Sequence, residues 1–164
     1  MPRNAALLAL LVGAITLAGL DLGRAQSPAP PQAAPPYRPS LADLMTAAIQ
    51  PRHVKLGLAG QEKNWLLAAY QLGNLKGAFA RTAQAWPTYR TTNMADLIEA
   101  TTAAPMEAVA AAIKAGDPGR FNEAYGQLTE TCNACHQSTD HALVVMQTPR
   151  ESPFPDQDFR PVKP

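Results

Sequence analysis

The stretch DPGRFNEAYGQLTETCNACH, Asp117 to His136, decides the fold. Asp117 is a strong N-cap residue, and Pro118 suits the first helical position, where its missing N–H costs nothing. Phe121, Tyr125, Leu128, Cys132 and Cys135 follow at spacings of 4, 3, 4 and 3. That rhythm marks one apolar face of an α-helix. Both cysteines of the chain lie on the stripe, with His136 beside the second.

The same period runs through the residues upstream, and no stretch alternates with period 2, so the pattern predicts an all-α chain. A first helical segment covers about Leu41 to Ala59. Ser40 is its N-cap with Asp43 three residues on, and Leu41, Leu44, Met45 and Ala48 share a face. Pro51 must kink or restart this helix, with Gln50 capping a second piece that carries His53 and Leu56. A second segment, Gln61 to Trp86, places Trp65, Ala69, Leu72, Lys76, Phe79, Ala83 and Trp86 on one stripe, widened by Leu66, Ala68 and Leu75. Pro87 stops it. A third, about Met94 to Ala115, carries Leu97, Ile98, Thr101, Met106, Val109 and Ile113. A kink is expected at Pro105 and a C-cap at Gly116. Four amphipathic helices with short turns predict an antiparallel four-helix bundle with kinked first and third helices. The core is rich in alanine, which buries little apolar area, so a large apolar ligand would help to fill it.

The ends read differently. Residues 1–25 have the pattern of a cleaved signal peptide: Arg3, then the uncharged run Ala5–Leu20, then Gly23 and Ala25 at the cleavage site. That run of 16 residues is short of the ~20 that cross a bilayer, so no membrane span is expected after cleavage. Residues 26–39 form a Pro-rich linker, the bundle occupies 40–146, and a Pro-rich irregular tail covers 147–164. Removing the leader takes away two arginines and one aspartate, which brings the net charge from +1 to 0. Nothing in this balance suggests a nucleic-acid partner.

On a helix, Cys132, Cys135 and His136 project from one side. Cys-x-x-Cys-His is the signature of covalent haem c attachment: the thiols add to the two vinyl groups and the imidazole binds iron. An exported chain is where such attachment occurs, so the leader and the motif agree. Zinc would need four gathered ligands, with His141 or His53 joining the cysteines. A redox dithiol belongs beside a strand–helix unit, which this pattern lacks. A disulfide here would close almost no loop and stabilise little by chain entropy.

A helical chain with this motif on its last helix resembles the class II c-type cytochromes, the cytochrome c′ family, in which a Phe often opens that helix, as Phe121 does. The stretches RHVKLGLAGQEKNWLLAAY, Arg52 to Tyr70, and PFPDQDF, Pro153 to Phe159, are similar to those of a further group of bacterial cytochrome-c-like proteins. The resemblance covers roughly Leu41 to His136. It implies a periplasmic monohaem cytochrome carrying single electrons to and from redox partner proteins, and it raises a homodimer. Class II members end soon after the motif, whereas here 28 residues follow His136.

His136 resembles the family's proximal iron ligand. The first helix faces the last in such a bundle, which makes His53 the expected distal ligand. Met45 ranks below it and Met146 lower still. An iron without a sixth ligand would instead bind small gases such as NO or CO. His141, five residues past His136, is expected at the surface or beside a propionate. Arg52 and Lys55 are candidates to pair with propionates. Trp65, Tyr70, Phe79 and Trp86 are expected in core or haem-edge packing, and Phe154 and Phe159 as staples for the tail. No nucleophile–base pair is visible, so no enzymatic activity is expected.

Overall fold

The computed structural model describes residues 37–162. The expected leader (1–25) and residues 26–36 of the expected linker lie outside the described residues. The described chain is all-α apart from one short hairpin. Its elements are α1 (Leu41–Asp43), a π-helical stretch (Leu44–Ile49), α2 (Gln50–Gln61), α3 (Trp65–Ala85), β1 (Thr88–Tyr89), β2 (Thr92–Asn93), α4 (Met94–Ala115) and α5 (Pro118–Ser138). Among the described residues no helix is long and apolar enough to cross a membrane.

The caps follow from the residues present. Ser40 accepts from the Asp43 N–H while Asp43 reaches back to the Ser40 N–H, closing a capping box. Asn93 caps α4, and Asp117 caps α5 through the N–H groups of Gly119 and Arg120. Gly116 ends α4 at φ 63°, a left-handed value that glycine adopts without steric cost.

The first segment does not restart at Pro51. Ile49 and Gln50 keep helical backbone angles, and Gln50 gives no side-chain cap. The chain instead widens into π-helix over the six residues just before. That wider turn lies where the proline ring would meet the carbonyl four residues back. Pro105 likewise falls inside α4 without dividing it.

The second segment starts later than the periodicity suggests. Lys63 takes φ 55°, and Asn64 accepts from the Leu67 N–H, so residues 62–64 form a corner and α3 begins at Trp65. Its buried face runs through Ala68, Gln71, Leu72, Leu75, Ala78, Phe79 and Thr82. The expected stripe is rotated by one flank: Ala69 and Lys76 face solvent. Leu66 and Tyr70, expected inside, are 89% and 65% exposed. The hairpin was not foreseen, because its turn residues Arg90 and Thr91 lack the Asn-Gly or Asp-Gly signature of such turns.

α2 packs on α3, α3 on α4, α4 on α5 and α5 on α2. The core between them contains Leu56, Leu75, Val109, Phe121, Tyr125 and Leu128. Two glycines set the closest approach. A Cβ on Gly60 would stand 1.9 Å from the Phe121 ring, and one on Gly57 would stand 2.6 Å from the Tyr125 ring. α2 thus offers a groove of bare backbone, one turn apart, into which two aromatic rings of α5 are set.

The tail is irregular but docked. Phe159 is buried in the core and Phe154 packs against it. Asn64 Nδ2 donates to the carbonyls of Phe159 and Arg160 at 3.2 and 3.0 Å. Lys55 Nζ sits 4.5 Å from the Phe154 ring centre, a cation–π distance. The expected staples are in place.

Candidate functional site

One cavity lies where the π-helical stretch, α2, α4 and α5 meet. It is a narrow cavity of about 90 Å³, below the 300–1,000 Å³ usual for small-molecule sites. Its wall includes Cys132, Cys135 and His136 from α5, and Met45, Ile49 and His53 from the π-helical stretch and α2. Phe79, Met94, Ile98 and Met146 complete an apolar lining. The expected attachment residues Cys132, Cys135 and His136 and the candidate distal ligands His53, Met45 and Met146 are therefore gathered on one cavity.

Both cysteines are free. Burial pushes the Cys132 thiol up to about 11, helped by the neighbouring Cys135, and burial raises Cys135 as well. Cys132 Sγ donates to the Leu128 carbonyl at 3.3 Å. A redox dithiol works through a thiol of lowered pKa, and zinc binds thiolates. These surroundings favour neither. Among the described residues no group of three or more His, Cys, Asp or Glu side chains gathers as a metal site.

His136 lies 2.8 Å from the Val144 carbonyl through Nδ1. A carbonyl only accepts, so Nδ1 carries the hydrogen. In the neutral ring Nε2 then holds the lone pair, the arrangement found in metal-binding histidines whose other nitrogen is tied to a backbone oxygen.

His53 is almost fully buried, at 1% exposure. Desolvation lowers its pKa to about 4, so the ring is neutral at physiological pH. Nε2 is 3.0 Å from Thr129 Oγ1, and Nδ1 is 3.1 Å from the Tyr125 hydroxyl. The Tyr125 hydroxyl also donates to the His53 carbonyl at 2.8 Å, and Thr129 donates to the Tyr125 carbonyl at 2.9 Å. The two rings stack with centres 4.7 Å apart. A neutral imidazole and two hydroxyls supply three hydrogens for these four contacts. Either neutral tautomer satisfies three of them: with Nδ1 protonated the Nε2 lone pair is left over, and with Nε2 protonated that of Nδ1 is.

The other expected residues are placed as follows. Met45 is on the cavity wall and partly buried. Met146 is also on the wall, brought there by the chain folding back after α5. His141 is not on it; its Nδ1 lies 2.7 Å from the Thr139 carbonyl, and its ring leans on Tyr89. Arg52 donates to the Ala48 carbonyl at 2.7 Å, and Lys55 is turned to Phe154. Neither is among the residues lining the cavity. Of the aromatic residues, Phe79 lines it, Trp65 leans on Phe121, and Trp86 carries Arg38 over its ring.

Sequence reasoning missed the Tyr125–His53–Thr129 network and the contribution of Val144. Tyr125 was legible only as an apolar stripe position. The run ALVVM, Ala142–Met146, was the available signal that the chain returns to the core. Comparison with protein-family models, curated proteins and solved structures finds no match.

Proposed function

We propose that this protein is a periplasmic monohaem c-type cytochrome of the class II kind, which passes single electrons between redox partner proteins. The observation that carries the reading is the wall of the cavity. Two free thiols and a histidine whose Nε2 holds the lone pair line one apolar cavity. Cys132 and Cys135 would hold haem c through thioethers, and His136 would bind iron. The bound group supplies a one-electron iron couple, whose potential depends on ligands, burial and hydrogen bonds. The chain's own part is to exclude water with Met45, Ile49, Phe79, Met94 and Ile98, and to orient the His136 ring through Val144.

In this reading the four mutually packed helices are an antiparallel four-helix bundle, with kinks at Pro51 and Pro105. Residues 1–25 are the export signal, and a homodimer is the assembly the class suggests. No reaction on a bound substrate is assigned, and no nucleic-acid or membrane partner.

The far side of the iron is proposed for His53. Its support is its place on the same cavity as the motif, from a different helix, and its buried, neutral imidazole. Binding through Nε2 requires the Thr129 contact to open. That requirement is the observation behind a second reading, in which His53 keeps its contacts and the far side is left to Met45 or stays open to NO or CO.

The test is direct. The full chain, expressed with haem-attachment machinery, should stain for covalent haem, and Cys132→Ala with Cys135→Ala should not. An unstained wild-type chain overturns the reading. A low-spin spectrum indifferent to CO, lost in His53→Ala, supports His53 as ligand. A spectrum unchanged by His53→Ala but altered by Met45→Leu, or a high-spin one with rapid CO uptake, supports the second reading.

A further inference from the structure

Asn133, the first of the two residues between the cysteines, reads both backbone groups of a single residue thirteen positions on. Its Oδ1 accepts from the Met146 N–H at 2.7 Å, and its Nδ2 donates to the Met146 carbonyl at 3.1 Å. A carboxamide presents one acceptor and one donor in a plane, so it pairs with the chain as a strand neighbour would. Two residues before Met146, the Val144 carbonyl takes the His136 Nδ1–H at 2.8 Å. Leu143 and Val145 beside it are 86% and 64% exposed, so they anchor this return segment weakly. The clamp on Met146, together with the Val144 N–H donating to the His141 carbonyl at 2.8 Å, holds residues 144–146 against α5.

We propose that Asn133 is a positioning residue: by clamping Met146 it holds the Val144 carbonyl on His136 Nδ1, and so sets how strongly the proximal imidazole donates to iron. This rests on the haem reading above. A carbonyl accepting from Nδ1–H makes the imidazole more basic, and such outer partners typically alter metal affinity 10–100-fold. A more basic ligand favours the ferric state. Releasing the carbonyl should therefore move the couple toward the ferrous state.

The test compares the full haem-loaded chain with Asn133→Leu, which keeps the size without the hydrogen bonds, and Asn133→Ser, which keeps one acceptor for the Met146 N–H. The expected result for Asn133→Leu is retained haem stain and faster Met146 amide exchange. Its ferric–ferrous equilibrium should shift about tenfold toward ferrous, which is about 59 mV upward for a one-electron couple. Asn133→Ser should fall between the two. A stained Asn133→Leu with wild-type potential, or with unaltered Met146 exchange, overturns the proposal. So does loss of stain in both variants, since Asn133 would then serve attachment or folding. An unstained wild-type chain is a different failure, that of the haem reading itself.

Discussion

His53 Nε2 and Thr129 Oγ1 stand 3.0 Å apart, joining α2 to α5 beside the cavity. Thr129 is buried and also donates to the Tyr125 carbonyl. Thr129→Val keeps the shape and removes both contacts. The expected cost in the chain without haem is about 1–3 kcal/mol, the range for stranding a buried polar partner. It should be read as a lower urea midpoint with an unchanged slope.

Acid should weaken the same region. Burial lowers the His53 pKa from 6.5 to about 4. Between those values the unfolded chain binds a proton that the folded chain refuses, so stability falls as pH drops through that window. Above it the contribution is level. The full loss approaches about 3 kcal/mol at 1.36 kcal/mol per pH unit. At pH 5, about 1.5 pH units into that window, the haem-free chain should be about 2 kcal/mol less stable than at pH 7.5 by urea unfolding, and His53→Gln should flatten the difference.

The helical glycines should divide sharply. Gly60→Ala sets a methyl 1.9 Å from the Phe121 ring, and overpacking of this kind costs about 1–3 kcal/mol. Gly73 lies exposed in α3 with nothing within 4 Å of an added Cβ. Gly73→Ala should therefore stabilise by about 0.5–1 kcal/mol through helix propensity. Thermal melts of the two variants should move in opposite directions.

The tail should be part of the cooperative unit. Phe159 is buried against the core at 6% exposure, and Phe→Ala in such a place costs about 3–5 kcal/mol. Phe159→Ala should also expose the Arg150–Glu151 bond to trypsin sooner than the helices are cut. Tail cleavage no faster than in wild type would mean that Phe159 does not hold it.

How far the sequence foretold this depends on what each residue's signal was. α4 and α5 were legible nearly to the residue, because Asp117, Pro118 and Gly116 are strong local punctuation and the apolar period is regular. The start of α3 was not, because the corner rests on Lys63 taking a left-handed angle that lysine rarely adopts. The rotation of α3 was missed because its solvent flank carries the apolar Leu66 and Tyr70 while its buried flank carries the polar Gln71 and Thr82, so tertiary packing and not hydrophobicity chose between them. Of the cavity wall, Cys132, Cys135, His136, His53 and Met45 were all nameable beforehand. The Asn133 clamp was not: an Asn inside the motif has no periodicity or spacing to betray a partner thirteen residues downstream. The same holds for the network around His53, whose partners Tyr125 and Thr129 read as an ordinary helical i, i+4 pair.

Val144, Met146, Phe154 and Phe159 all come after the cysteines in the chain, yet they supply a wall of the cavity and the last pieces of the core. Until those residues dock, one wall of the cavity is missing, and Cys132 and Cys135 can be reached from that side.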